Sequence, residues 1–70
     1  MTRPAKHSLT IDGHRTSVSL EPEFWVAFRA LAARRGLGLN ELARQIDAAR
    51  ADQGLASAIR IAVLRDLQGM

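Results

Sequence analysis

The run Lys6-His7-Ser8-Leu9-Thr10-Ile11, the dipeptide Asp12-Gly13 and the run His14-Arg15-Thr16-Ser17-Val18-Ser19-Leu20 constrain this chain more than any other part of it. Both runs alternate in polarity, which is the period of a half-buried strand, and Asp-Gly suits a two-residue type I′ turn because both central residues need positive φ. Such a turn dictates the pairing: Ile11 faces His14, Thr10 faces Arg15, Leu9 faces Thr16, Ser8 faces Ser17, His7 faces Val18 and Lys6 faces Ser19. Directly opposed residues share a face of the sheet. One face therefore collects Leu9, Ile11, Thr16, Val18 and Leu20 with both histidines, and the other collects Lys6, Ser8, Thr10, Arg15, Ser17 and Ser19, none of them apolar.

Ahead of the hairpin, residues 1–5 read as a flexible basic arm, since Pro4 removes a backbone donor and no periodicity has begun. Behind it, Glu21-Pro22-Glu23 places proline and acids where a helix starts, and Phe24, Phe28 and Leu31 then recur at helical spacing with Trp25 and Ala32 beside them. This predicts an amphipathic helix of roughly 13–14 residues, with Arg34 and Arg35 in its last turn and Gly36 as a left-handed cap. The three aromatics read as core under the sheet. Leu39, Leu42, Ala43, Ile46 and Ala49 predict a second helix with Glu41, Arg44, Asp47 and Arg50 outside, broken at Asp52-Gln53-Gly54. A third helix is expected from about Ala56, with Ser57 as N-cap, through Ile59, Ile61, Ala62, Val63, Leu64 and Leu67. The expected class is α+β, mainly α. The expected organisation is an arm over 1–5, a hairpin-and-helices domain over 6–53, and a C-terminal helix over 54–70 that extends the same domain.

Length bears on how such a chain stays folded. A 70-residue chain without cysteine has no disulfide framework, and a domain of this size buries only about 60% of its unfolded surface. His7 and His14 without further ligands make a weak metal site, so no metal and no cofactor are expected. The third helix is apolar most of the way round, which demands burial on more than one side, and a single chain has little left to cover it. A twofold partner would supply that surface. An enzyme is not expected: a cleft of roughly 300 Å³ is hard to carve from so small a core, and His7, Asp12, Ser8 and Ser17 have no pocket to organise them.

The net charge is +3, and nine of the ten basic residues are arginine, a side chain suited to phosphate and base edges that high-GC coding also enriches. Residues 1–20 carry Arg3, Lys6 and Arg15 against Asp12, giving +2, whereas residues 37–53 carry Arg44 and Arg50 against Glu41, Asp47 and Asp52, giving −1.

The strand Arg15-Thr16-Ser17-Val18-Ser19-Leu20, followed by Glu21-Pro22, an amphipathic helix, Gly36 and Asn40-Glu41-Leu42, resembles the ribbon-helix-helix DNA-binding proteins of the Arc/MetJ/CopG-like superfamily over residues 14–50. A short bacterial subgroup is similar over a longer string, here Ile11-x-Gly13-His14-x-Thr16-Ser17-Val18-x-Leu20 and then Glu21-Pro22-x-Phe24-Trp25. The resemblance implies a homodimer whose paired strands enter the major groove. It implies that Arg15, Ser17 and Ser19 read base edges, and that Val18, Leu20, Phe24, Phe28, Leu42 and Ile46 form the dimer core. It also implies a phosphate held by the backbone at Gly38, Leu39 and Asn40. Arg3 and Lys6 are further candidates for phosphate contact. The sequence departs from the family pattern at Gly38, where serine or threonine would commonly cap the second helix. It also departs in adding an outer strand, which would give a dimer sheet in the order outer, inner, inner, outer.

The expected function is thus a sequence-specific transcriptional regulator, a repressor, with itself and double-stranded DNA as partners. One alternative keeps the fold and makes the chain an antitoxin that binds a toxin through residues 54–70. Another is a dimeric interaction module without DNA binding. No membrane partner is expected, since the longest apolar runs fall short of a span and the N-terminus lacks a signal-peptide run; a cytoplasmic, nucleoid-associated location follows by default.

Overall fold

The computed structural model describes residues 3–69, and Met1, Thr2 and Met70 lie outside the described residues. Strands β1 (Ala5–Ile11) and β2 (His14–Leu20) form an antiparallel hairpin, followed by α1 (Pro22–Arg34), α2 (Leu39–Ala49) and α3 (Leu55–Gln68). The register is the one the turn dictates, from Ile11 opposite His14 to Lys6 opposite Ser19, with Ala5 opposite Leu20 added at the open end. Asp12 at φ 51° and Gly13 at φ 79° supply the two positive values of a type I′ turn. β1 begins at Ala5, inside the stretch read as an arm, and leaves Arg3 and Pro4 exposed outside any element.

Pro22 opens α1 with Glu23 in its first turn. The helix closes as expected on Gly36 at φ +67°: the Gly36 N–H donates to Ala33 O at 3.1 Å and the Leu37 N–H to Ala32 O at 2.9 Å. This pair of bonds is the Schellman arrangement, in which a residue without Cβ satisfies the last carbonyls of the helix.

Leu9, Ile11, Val18 and Leu20 from the apolar face of the hairpin pack on Phe28, Leu31 and Ala32 of α1, Leu42 and Ala43 of α2, and Ile59 and Val63 of α3. Phe24, Trp25 and Ile46 lie half-buried against this cluster, so the aromatics are core, as their spacing predicted. Each fully buried large side chain contributes about 1.5–3 kcal/mol, a large share of what holds so small a domain together.

The third helix departs from expectation in two ways. It starts at Leu55 with Gly54 as N-cap and no side-chain cap, while Ser57 is exposed within the helix. It is also covered on one side only, and by its own chain: Ala58, Ile59 and Val63 are buried, whereas Ile61, Leu64 and Leu67 are 38%, 52% and 52% exposed. The surface expected from a twofold partner is therefore furnished in part by α1, α2 and β2 of the same chain. Charged contacts fasten α3 along its length. Arg60 donates to Glu21 Oε1 from Nε at 3.1 Å and from Nη2 at 2.9 Å, and its guanidinium lies 5.8 Å from the Phe24 ring centroid, while Arg34 pairs with Asp66.

Candidate nucleic-acid interface

The polar face of the hairpin is continuous and solvent-facing: Lys6, Ser8, Thr10, Arg15, Ser17 and Ser19 are all exposed. Its six residues include two cations, four hydroxyls and no acid. In the register observed, Thr10 lies beside Arg15, Ser8 beside Ser17 and Lys6 beside Ser19, giving three polar pairs in a row. Ser8 and Thr10, which the turn register assigns to this face, stand directly opposite Ser17 and Arg15.

Alternate residues of an antiparallel pair turn their N–H and C=O groups away from the partner strand. Two hydrogen bonds identify that outward set. On the β1 edge, the Thr10 N–H donates to Asn40 Oδ1 at 3.0 Å; on the β2 edge, Ser19 O accepts from Arg60 Nη2 at 3.3 Å. Since Thr10 opposes Arg15 and Ser19 opposes Lys6, the outward set on β2 is Arg15, Ser17 and Ser19. The three residues whose side chains build the polar face of β2 are thus the three whose backbone groups line its open edge.

The start of α2 sits against the other edge. Gly38 is the N-cap, with no side-chain cap bond, and the first intrahelical bond runs from the Leu42 N–H to Gly38 O at 3.0 Å. The N–H groups of Leu39, Asn40 and Glu41 precede it, where a helix has no internal acceptors. The expectation from sequence concerns the Asn40 backbone N–H alone; its side chain has a separate task, Oδ1 accepting from the Thr10 N–H. Glu41, in the same turn, is neutralised locally. Arg44 grips both its carboxylate oxygens at 3.1 and 2.6 Å and Gln45 donates to Oε2 at 3.1 Å, and these bonds hold its pKa at about 2 against an ordinary 4.5.

Val18, Leu20, Phe28 and Leu42 are buried within the single chain, with Phe24 and Ile46 packed against the same cluster. The six residues implied as a dimer core thus lie in or against the hydrophobic cluster of the chain itself. His7 stacks on Trp25 with ring centroids 3.8 Å apart and planes 6° from parallel, and its buried Nε2 has no hydrogen-bond partner. His14, on the same sheet face, is exposed near the turn. Among the described residues no group of three or more His, Cys, Asp or Glu is placed to hold a metal ion.

A depression of about 300 Å³, lined by Ile11, Asp12, His14, Thr16, Asp47, Arg50 and Leu55, opens under the hairpin tip. A hollow of that size was not expected in so small a chain. It is open to solvent and its one guanidinium is tied up, Arg50 Nε donating to Asp47 at 2.7 Å and Nη1 to Gln53 O at 2.8 Å.

An acid-free polar ribbon on a hairpin, backed by three helices, defines a small β-ribbon domain with a face suited to a polyanion. The ribbon-helix-helix domain family matches residues 4–67, and the chain belongs to that family. The match spans the hairpin and nearly all of α3, well beyond the residues 14–50 that carried the resemblance in sequence. Membership supports a DNA-binding or regulatory role at the level of the family, whose domains are typically non-enzymatic and generally act as homodimers. No curated protein and no solved structure matched the chain. No helix among the described residues is long and apolar enough to cross a membrane.

Proposed function

We propose that the chain is a sequence-specific DNA-binding transcriptional regulator, a repressor, that works in the cytoplasm as a homodimer whose β2 strands pair and enter the major groove. The observation that carries this reading is the acid-free exposed face on the strand whose other edge is open for pairing. Pairing β2 with its copy so that Ser17 lies opposite Ser17 uses all seven strand residues and sets each Arg15 beside a Ser19. An axis through a residue pair is required, because a one-residue slip would turn the polar side chains of one strand to the core face.

In that arrangement Arg15, Ser17 and Ser19 reach base edges, with Arg15 able to take a guanine bidentately and the serines able to donate or accept. The N–H groups at Gly38, Leu39 and Asn40, together with Arg3 and Lys6, contact phosphate. Val18, Leu20, Phe24, Phe28, Leu42 and Ile46 would then lie under a sheet shared by two chains.

The test is solution mass with and without duplexes selected from a random pool. A dimer that recovers a palindromic consensus supports the reading, and Arg15→Ala should relax preference at one position per half-site at a cost of about 1–3 kcal/mol. A monomer that enriches no sequence refutes it.

A second reading, the antitoxin, draws on one observation: α3 keeps Ile61, Leu64 and Leu67 exposed. In that reading a toxin covers this face while the hairpin still binds DNA. Residues buried on the other side of α3 hold the fold in either case.

A further inference from the structure

We propose that the outer strand β1 rides over the phosphate backbone at the rim of the groove, where Ser8, Thr10 and Lys6 bind phosphates while the inner β2 pair reads bases. This rests on the DNA-binding reading above and extends it to a strand that lies outside the pairing edge.

The dimensions lead to this division. Neighbouring strands lie about 4.8 Å apart, so a four-stranded dimer sheet places its outer strands about 14 Å from each other and about 7 Å from the twofold axis. The major groove is about 12 Å wide, so its walls stand about 6 Å from the same axis. The two β2 strands fit between the walls. The two β1 strands meet them, and a side chain projecting from the polar face of β1 points at a phosphate and not at a base edge.

The residues on β1 suit that position. Lys6, Ser8 and Thr10 are exposed on the same face as Arg15, Ser17 and Ser19, and they bring one ammonium and two hydroxyls with no carboxylate. Compact hydroxyls and a point charge bind phosphate without selecting a base, whereas the guanidinium fork of Arg15 sits on the inner strand where base edges are accessible. β1 is also held in place for the purpose. The hydrogen bond from the Thr10 N–H to Asn40 Oδ1 fastens it to the start of α2, so the strand and the uncapped turn of that helix lie side by side. An outer strand added to a two-stranded reader then widens the footprint on the backbone without widening the part that reads sequence.

The experiment uses the full chain with a duplex selected by the wild type and with an unrelated duplex of equal length, titrated over a range of salt. Ser8→Ala/Thr10→Val removes both hydroxyls, suits a strand, and leaves the Asn40 bond intact because that bond uses the Thr10 backbone. It should weaken binding to both duplexes by a similar factor, about tenfold, without altering the consensus. Lys6→Gln should reduce the slope of log affinity against log salt by about 0.9 per chain, and Ser8→Lys should steepen it by a similar amount. Arg15→Ala, by contrast, should change the consensus. The proposal is overturned if the double variant binds like wild type or shifts the selected sequence while its unfolding midpoint is unchanged. If wild type binds no duplex at all, the DNA-binding reading itself fails, a result distinct from a wild type that binds and a β1 variant that does not differ from it.

Discussion

Thr10 on β1 and Asn40 on α2 are joined by a 3.0 Å hydrogen bond between the backbone N–H of the one and the side-chain oxygen of the other, thirty residues apart in sequence. The bond occupies a donor on the outer edge of the hairpin. Open strand edges invite pairing with other chains, and here a helix packs on the β1 edge while the β2 edge receives a hydrogen bond from Arg60 near its end, at Ser19. The two edges are thus treated differently, which gives any strand pairing a direction.

Asn40→Ala should cost about 1 kcal/mol, the ordinary worth of one such bond, and lower the melting temperature by about 4–8 °C. Asn40→Asp keeps an acceptor and should recover most of the loss. Amide exchange at Thr10 is the sharper readout, since its protection should vanish in the alanine variant and return with aspartate.

The two sides of α3 should respond very unequally to truncation. Ile59 is fully buried, and Ile59→Ala should cost about 2–5 kcal/mol through lost contacts and the cavity left among Phe28, Leu42 and Val63. Leu64→Ala on the outer side should change the stability of the free chain by no more than about 0.5 kcal/mol. Urea unfolding of both variants at low protein concentration checks this, and an equal loss in the two would mean that the outer face is buried in solution.

Gly36 and Gly38 are two residues apart and should tolerate substitution very differently. Neither would bring a Cβ within 4 Å of a neighbouring atom, but Gly36 holds φ +67°. Gly36→Ala should therefore cost about 1–2 kcal/mol from backbone conformation alone. Gly38, the N-cap of α2 at φ −66° and ψ 154°, has the geometry of a capping residue without the side chain. Gly38→Ser should stabilise by a few tenths of a kcal/mol, a difference that paired thermal melts resolve.

Glu41 should make the fold acid-sensitive over a defined window. Its bonds from Arg44 and then Gln45 hold its pKa at about 2, below an ordinary 4.5. The unfolded chain therefore takes up this proton first as pH falls. The contribution is complete above pH 4.5 and is lost as pH drops towards 2. Glu21, lowered first by its own backbone N–H and then by Arg60, acts in the same direction. Measured as urea midpoint against pH, Glu41→Gln should flatten the acid limb relative to wild type, and an unchanged limb would remove Glu41 from the account.

Local chemistry in the sequence determined the hairpin and its register, because Asp12-Gly13 strongly favours a two-residue turn with positive φ at both positions and strand period assigns every side chain to a face. It likewise determined α1, whose proline start and Gly36 cap are decided by adjacent residues. The first two helices and the exposure of Arg15, Ser17 and Ser19 were legible for the same reason. Tertiary structure alone decided what covers α3. A helix that is apolar most of the way round reads the same whether its own chain or another shields it, and only packing shows that Ile59 and Val63 face inward while Ile61, Leu64 and Leu67 do not. It also decided the role of the Asn40 side chain. A polar residue at a helix start has many partners within reach in sequence terms, and its choice of the Thr10 N–H depends on where the fold brings a strand edge thirty residues away.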